Sequence, residues 1–230
     1  MSRRRLRLAA VVLAAGAGSR YSDQPGAKLL ADLDGQPLLA HALGAIREFR
    51  PAATVVVLGH GADEIERRIA WSDEIRVLNP TPERGLGSSL QVGIAALEVL
   101  SEDADDADDA DDADHSEPPD RADGAFVVLG DQPRLRADVM RALADAAAAA
   151  RPADRPIVVP RYAAEVGPRN PALLLRPAWQ FIADIDPERG LAPLIEQHPD
   201  MVQIVAVPGT MPDVDGPVDL DELRLPRDGP

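Results

Sequence analysis

Six short apolar runs, separated by segments of helical composition, restrict this chain to a narrow set of architectures. The runs lie at 8–13, 54–58, 75–78, 124–129, 156–159 and 202–207, and helical segments fall at 37–48, 61–70, 87–100, 135–150 and 189–197. Runs such as Thr54-Val-Val-Val-Leu58 and Ala125-Phe-Val-Val-Leu129 are apolar at consecutive positions rather than at alternate ones. A strand of that kind has both faces covered, the condition of a parallel sheet between helical layers. Repeated βα units with right-handed crossovers then predict an α/β fold, a three-layer, doubly wound, mostly parallel sheet of Rossmann-like type. Ligands bind such sheets beyond the carboxyl ends of the strands. The residues that follow the runs are therefore the first place to look for chemistry.

Composition narrows the function classes. The 230 residues are expected to form a single domain over 1–230, with a core of Leu, Val, Ile and Ala, because only 3% are aromatic. The absence of Cys excludes disulfides, thiol chemistry and Cys-ligated zinc. No apolar run reaches the ~18 residues of a membrane span, and no basic or aromatic cluster points to nucleic acid. Residues 1–15 imitate a secretory signal, but cleavage would destroy a motif that runs on through Arg20 and Lys28; a cytoplasmic location is expected. The net charge of −15 is mostly local. Twelve Asp and Glu residues against Arg121 alone fall within 101–123, around the repeat Ala-Asp-Asp, and this stretch is read as a disordered acidic insertion.

The strand at 8–13 runs into Ala14-Ala15-Gly16-Ala17-Gly18-Ser19-Arg20, and Lys28 follows after a polar loop containing Pro25 and Gly26. Small residues let backbone N–H groups approach an anion, and Arg20 and Lys28 add the positive charge a triphosphate needs. The dinucleotide fingerprint fails because Tyr21 stands where its third Gly belongs, and the Walker pattern fails because Lys28 lies between Ala27 and Leu29. Gly130-Asp131-Gln132-Pro133 follows the run at 124–129, so Asp131 is a carboxylate at a strand end, suited to a divalent ion. Asp213 and Asp215 follow the run at 202–207, two residues apart on an extended segment. Asn79, Gly87, Ser88 and Ser89 flank the start of the helix at 87–100, where capping groups and an anion-binding end coincide.

Together Leu-Ala-Ala-Gly-x-Gly-x-Arg…Lys, Gly-Asp-Gln-Pro and Asp-Val-Asp-Gly-Pro-Val-Asp-Leu resemble the signatures of the MobA-like NTP transferase superfamily, most of all its molybdenum cofactor cytidylyltransferase (MocA-like) branch. The resemblance spans roughly 7–224 apart from the insertion. It implies a magnesium-dependent nucleotidyltransferase that joins CTP to a phosphorylated acceptor, molybdopterin, with release of pyrophosphate. In that family the Ala14-Ala15 pair accompanies CTP and a Gly at the second of these positions accompanies GTP. The implied catalytic residues are Arg20, Lys28 and Asp131. The nucleotide contacts are Leu13, Ala14, Ala15, Gly16, Gly18, Arg20, Lys28, Asn79, Gly87, Ser88 and Ser89. The Mg²⁺ ligands are Asp131 and Asp215, with Gly216 in place of the usual Thr. Asn170 and Pro171 map to the acceptor side, Asn170 standing where relatives often carry His. A molybdoenzyme or its chaperone is the implied partner. Two alternatives stand beside this reading: a sugar phosphate, methylerythritol phosphate or other phosphorylated acceptor for the same reaction, and a nicotinamide-dependent oxidoreductase of the same superfamily. Because the insertion offers nothing to bury, deleting 102–120 is expected to leave melting temperature and pyrophosphate release almost unchanged, measured by thermal melting and a coupled phosphate assay.

Overall fold

The computed structural model describes residues 5–107, 121–150, 154–163 and 170–224. In chain order these form β1 (Leu8–Ala14), a short hairpin of β2 (Asp32–Leu33) and β3 (Gln36–Pro37), α1 (Leu38–Phe49), β4 (Thr54–Leu58), α2 (Ala62–Arg68), β5 (Ile75–Leu78) and α3 (Leu86–Ala107). There follow β6 (Gly124–Leu129), α4 (Ala137–Ala149), β7 (Ile157–Tyr162), β8 (Ala172–Leu175), α5 (Arg176–Trp179), α6 (Ala192–Gln197), β9 (Val202–Val207) and α7 (Pro217–Arg224). Seven strands make one sheet in the order β5-β4-β1-β6-β8-β7-β9. Every pairing in it is parallel except those of β8 with β6 and with β7. The mostly parallel, doubly wound sheet expected from the sequence is the one observed.

All six expected strands are present, the fifth displaced to 157–162. The seventh, β8, is a fully buried run of Ala and Leu entered from Pro171. It lacks β-branched residues, and nothing in its four positions signals its reversed direction. The expected helix at 189–197 is shortened to α6, and α3 continues through Ala107, into the stretch read as the start of the acidic insertion. At the far end of that stretch the Asp123 carboxylate accepts the Arg7 N–H at 2.7 Å, so this residue belongs to the fold. Residues 108–120 lie outside the described residues.

Alternation along β1 explains why its whole length is apolar. Ala10, Val12 and Ala14 pack against Leu39, Leu43 and Ile46 of α1 and Met140 and Leu143 of α4. Ala9, Val11 and Leu13 pack on the opposite face with Leu90, Ile94 and Leu97 of α3. Gly93 lies directly over Val11 and Val57, and a Cβ there would overlap the Val11 side chain. A small third cluster joins Leu33 and Leu38 to Val214, Leu220 and Leu223 and so fastens α7 to the hairpin. No helix among the described residues is long and apolar enough to cross a membrane.

At the far edge, Arg47 of α1 donates to the buried Glu74 carboxylate at 2.6 Å, and the Ser72 N–H donates to its other oxygen at 2.7 Å. Burial pushes the Glu74 carboxyl up, but the Arg47 and backbone hydrogen bonds together outweigh it, and the net shift is below the ordinary value. A depressed carboxyl contributes stability above the unfolded-state pKa, and that contribution fades as pH falls through the folded-state value. Glu74→Gln is expected to lower stability by about 1–3 kcal/mol at neutral pH. The deficit relative to wild type should shrink below about pH 4, as measured by denaturant titration across pH.

Candidate functional site

The ladder between β1 and β6 pairs Leu13 with Leu129 at its last register position. Just beyond it the Gly130 N–H donates to the Leu13 carbonyl at 3.0 Å. Two loops therefore leave the sheet side by side, at the point where the chain, having run outward through β4 and β5, returns to the other flank of β1. This is the switch point of a doubly wound sheet.

The first loop is shaped by its glycines. Gly18 has φ +65°, and a Cβ on it would stand 3.0 Å from Lys28 Cβ, so its smallness lets the lysine stem lie across the loop. Space above Gly16 is open. The N–H groups of Gly16 to Ser19 reach no backbone carbonyl among the described residues, which leaves them to an incoming anion. Lys28 itself is anchored by the buried Leu29 and Leu30, and Pro25 packs so closely on Gly61 that any Cβ at Gly61 would overlap it.

The second loop brings Asp131 to that lysine. Lys28 Nζ lies 2.6 Å from Asp131 Oδ2 and 3.5 Å from Asp215 Oδ1. Arg20 grips both oxygens of Asp215, at 2.8 and 3.0 Å. Three remote stretches thus set two cations against two carboxylates, the grouping expected from the sequence. The Arg20–Asp215 pair is 76% and 49% exposed, so it contributes at most about 1 kcal/mol and opens easily to a ligand. The Lys28–Asp131 pair is more enclosed, at 12% and 21%. Asp131 Oδ1 is buried with no hydrogen-bond partner. A carboxylate oxygen with unused acceptor capacity, next to the accessible Asp215, fits a hard divalent cation. Among the described residues no group of three or more His, Asp or Glu forms a cage, so such an ion would complete its shell from phosphate oxygens and water.

The third stretch is anchored in the core by Val214. Val214 is fully buried in the cluster around Leu33 and Leu220, and its N–H donates to the Asp131 carbonyl at 3.4 Å. With Val214 pinned inward, its two acidic neighbours project the other way. They take different partners: Asp215 meets the cations, whereas Asp213 accepts the Gln132 amide at 2.6 Å. Asp219, the third residue of α7, accepts from the Gly216 and Asp215 N–H groups at 2.7 and 2.8 Å, half of a capping box. These two hydrogen bonds hold its carboxyl below the usual range.

The remaining sequence candidates divide into two kinds. Ala14 and Ala15 have buried side chains and offer a ligand their backbone, and Leu13, also nearly buried, lines the cleft described below. Asn79 donates to the hydroxyls of Ser88 and Ser89, both at 3.0 Å, and accepts the Thr81 N–H at 2.9 Å. All three side chains are buried and occupied with one another, fixing the entry to α3. The Gly87 N–H is taken by the Pro187 carbonyl at 2.7 Å, and a Cβ on Gly87 would overlap the backbone of Asp186. This quartet therefore shapes the rim through internal contacts. Asn170 lines a cleft of about 230 Å³ with Leu13, Gln132 and Asp213, and Pro171 is buried beside it at the entry to β8. A larger depression of about 860 Å³ lies between Phe181 and α6, but none of Arg20, Lys28, Asp131 or Asp215 lines it. Sequence reasoning missed Gln132 and Arg134. Arg134 donates to the Leu223 carbonyl at 3.0 Å and so ties α7 to the Asp131 loop, a contact with no local signal.

Comparison with known proteins shows the family and the fold. Residues 10–202 match the model of the MobA-like NTP transferase domain. Over 99 residues the chain is 43% identical to the bifunctional protein GlmU of Jannaschia sp. (strain CCS1), covering 42% of this chain and 21% of that protein. It thus spans about a fifth of that curated relative. The crystal structure of Rv0371c from Mycobacterium tuberculosis H37Rv superposes with a TM-score of 0.73 at 26% identity, over 96% of this chain and 98% of that one. The manganese complex of Rv0371c superposes with a TM-score of 0.71 at 25% identity, over 94% and 97%. Because Val214 is the buried apolar anchor of the Asp213–Asp215 segment, Val214→Ala is expected to cost about 1–3 kcal/mol, read by denaturant unfolding.

Proposed function

We propose, from the premise that this chain belongs to the MobA-like NTP transferase family, that it transfers a cytidylyl group from CTP to a phosphorylated acceptor. The observation that carries this reading is the convergence of Lys28, Arg20, Asp131 and Asp215 beside a loop of unpartnered N–H groups. In the proposed reaction an acceptor phosphate oxygen forms a bond to the α-phosphorus as the bond to the bridging oxygen of pyrophosphate breaks. Such transfers rest on positioning and charge neutralisation, with no covalent intermediate on the protein. The Gly16–Ser19 N–H groups would bind phosphate oxygens, Arg20 the outer phosphates, and Lys28 the charge that builds on departing pyrophosphate. Asp131 and Asp215 would hold a divalent ion, which we assign as Mg²⁺. When bound, such an ion supplies electrostatic screening of the phosphate oxygens. The manganese complex of the Mycobacterium tuberculosis relative supports divalent metal use.

Molybdopterin is the proposed acceptor and CTP the proposed nucleotide, both on the family pattern around Ala14-Ala15. A second reading keeps the reaction and changes the acceptor to a sugar phosphate or methylerythritol phosphate. Asn170 favours it, since it lines the cleft where molybdopterin-specific relatives often carry His. A role in handing product to a molybdoenzyme or its chaperone, in the cytoplasm, goes with the first reading.

With their carboxylate partners in place, the cations are partly neutralised before any ligand arrives. CTP is therefore expected to bind weakly without Mg²⁺ and at least tenfold more tightly with it, in calorimetric titrations with CTP, GTP and ATP. Lys28→Ala and Asp131→Ala should each slow pyrophosphate release by about 10²–10³-fold with the fold intact. Near-normal turnover in both would overturn the mechanism.

A further inference from the structure

Another depression opens at the opposite end of the sheet. Leu8, which begins β1, lies in its wall, whereas the glycine loop leaves the other end of the same strand after Ala14. A strand rises about 3.3 Å per residue, which puts the two sites roughly 20 Å apart. The depression holds about 640 Å³, within the range of small-molecule sites. Its floor is apolar and fixed: Leu6, Phe49 and Ala144 pack against the core beneath, and Phe49 meets Phe126 edge to face at 5.0 Å. Its rim is basic, with Arg5, Arg7, Arg50 and Arg141 set against the one carboxylate of Asp145. In a chain of net charge −15 this is a local inversion. The depression beside α6, by contrast, carries Asp184, Asp186 and Glu188 against Arg84 and Arg189. The C-termini of α1 and α4 both lie at this end, and each adds about half a negative charge. Four guanidiniums against one carboxylate leave an excess that the two dipoles do not cancel. Arg141 is posed by α1, donating to the Glu48 carbonyl at 2.9 Å and to its carboxylate at 3.2 Å. The guanidiniums of Arg5 and Arg50 make no hydrogen bond or ion pair among the described residues. Arg50 also holds φ +61°, a left-handed conformation that glycine adopts freely and other residues adopt at a cost. A cation at the end of α1 would complement its dipole, but Arg47 already lies in the last turn. An arginine at position 50 thus serves something other than helix termination.

We propose that this depression is a second ligand site, separate from the transfer crevice, and that it takes an organic anion with an apolar body and a phosphate, sulfonate or carboxylate head. The body lies on Leu6, Phe49 and Ala144. Arg5 and Arg50 take the head, because the planar guanidinium fork matches two oxygens of such a group. A bare inorganic anion leaves the floor wet and binds less tightly for that reason. The site stands whether or not the transfer reading above is right, since it shares no residue with that crevice.

The test uses the full chain as wild type, Arg50→Gly, Arg5→Gln and Lys28→Ala. The probes are 1-naphthyl phosphate, which has both body and head, and inorganic phosphate, which has the head alone, both followed by calorimetry. Wild type is expected to bind naphthyl phosphate at least tenfold more tightly than inorganic phosphate. Arg50→Gly should weaken naphthyl phosphate about tenfold while the melting temperature holds or rises, because glycine suits the left-handed backbone. Arg5→Gln, at an exposed position, should weaken it severalfold, and it carries the test alone if Arg50→Gly does not fold. Lys28→Ala, which changes only the transfer crevice, should bind the probe within twofold of wild type. Equal affinity in wild type, Arg50→Gly and Arg5→Gln overturns the proposal. So does a loss confined to Lys28→Ala, which would place the probe in the transfer crevice. Naphthyl phosphate bound no more tightly than inorganic phosphate overturns it as well, since the apolar floor would then contribute nothing.

Discussion

Leu13 and Leu129 stand side by side at the ends of β1 and β6, and the loops that leave them cannot avoid one another. That parallel pairing depends on the chain reversing its direction of travel through the sheet, out to β5 and back by α3 to the opposite flank of β1. Backbone geometry at this crevice brings the glycine loop and the Asp131 loop within reach of each other. The contact of Lys28 with Asp131 at 2.6 Å follows from it. The close seating of α3 over Val11, permitted by Gly93, belongs to the same constraint, because α3 covers the strands whose register aligns the two loops.

The third participant is supplied from a distance by packing. Val214 enters the small cluster with Leu33, Leu38, Leu220 and Leu223, and Arg134 and Asp219 tie α7 and its approach into place. Asp215 is therefore delivered to Arg20 and Lys28 by a hydrophobic anchor one residue away. The resulting set of charges balances itself. The exposed Arg20–Asp215 pair adds little stability, so the arrangement is better understood as a cradle that exchanges internal partners for a metal and phosphates.

The chain thus carries an NTP transferase domain whose loops do unequal work. Gly16 and Gly18 leave backbone donors open, whereas Asn79, Ser88, Ser89 and Gly87 spend their polar groups on one another or on nearby backbone at Thr81, Gly85 and Pro187. Gln132 is the opposite case, a side chain beside Asp131 whose buried Oε1 has no hydrogen-bond partner.

Much of this was legible in the order of the residues. Consecutive β-branched runs declared buried parallel strands, and the small residues and cations of 14–28 declared an anion loop, because both are local consequences of side-chain size and polarity. The candidates Arg20, Lys28, Asp131 and Asp215 could be listed on that basis. Their distances could not, since sequence separations approaching 200 residues are bridged only by sheet order and by the Val214 anchor. The reversed strand β8 was invisible because strand direction leaves no mark on a four-residue apolar run. The occupied state of Asn79 and the unpaired oxygen of Gln132 were likewise decided by tertiary structure alone. Whether a polar group is spent or free depends on which neighbours the fold brings to it.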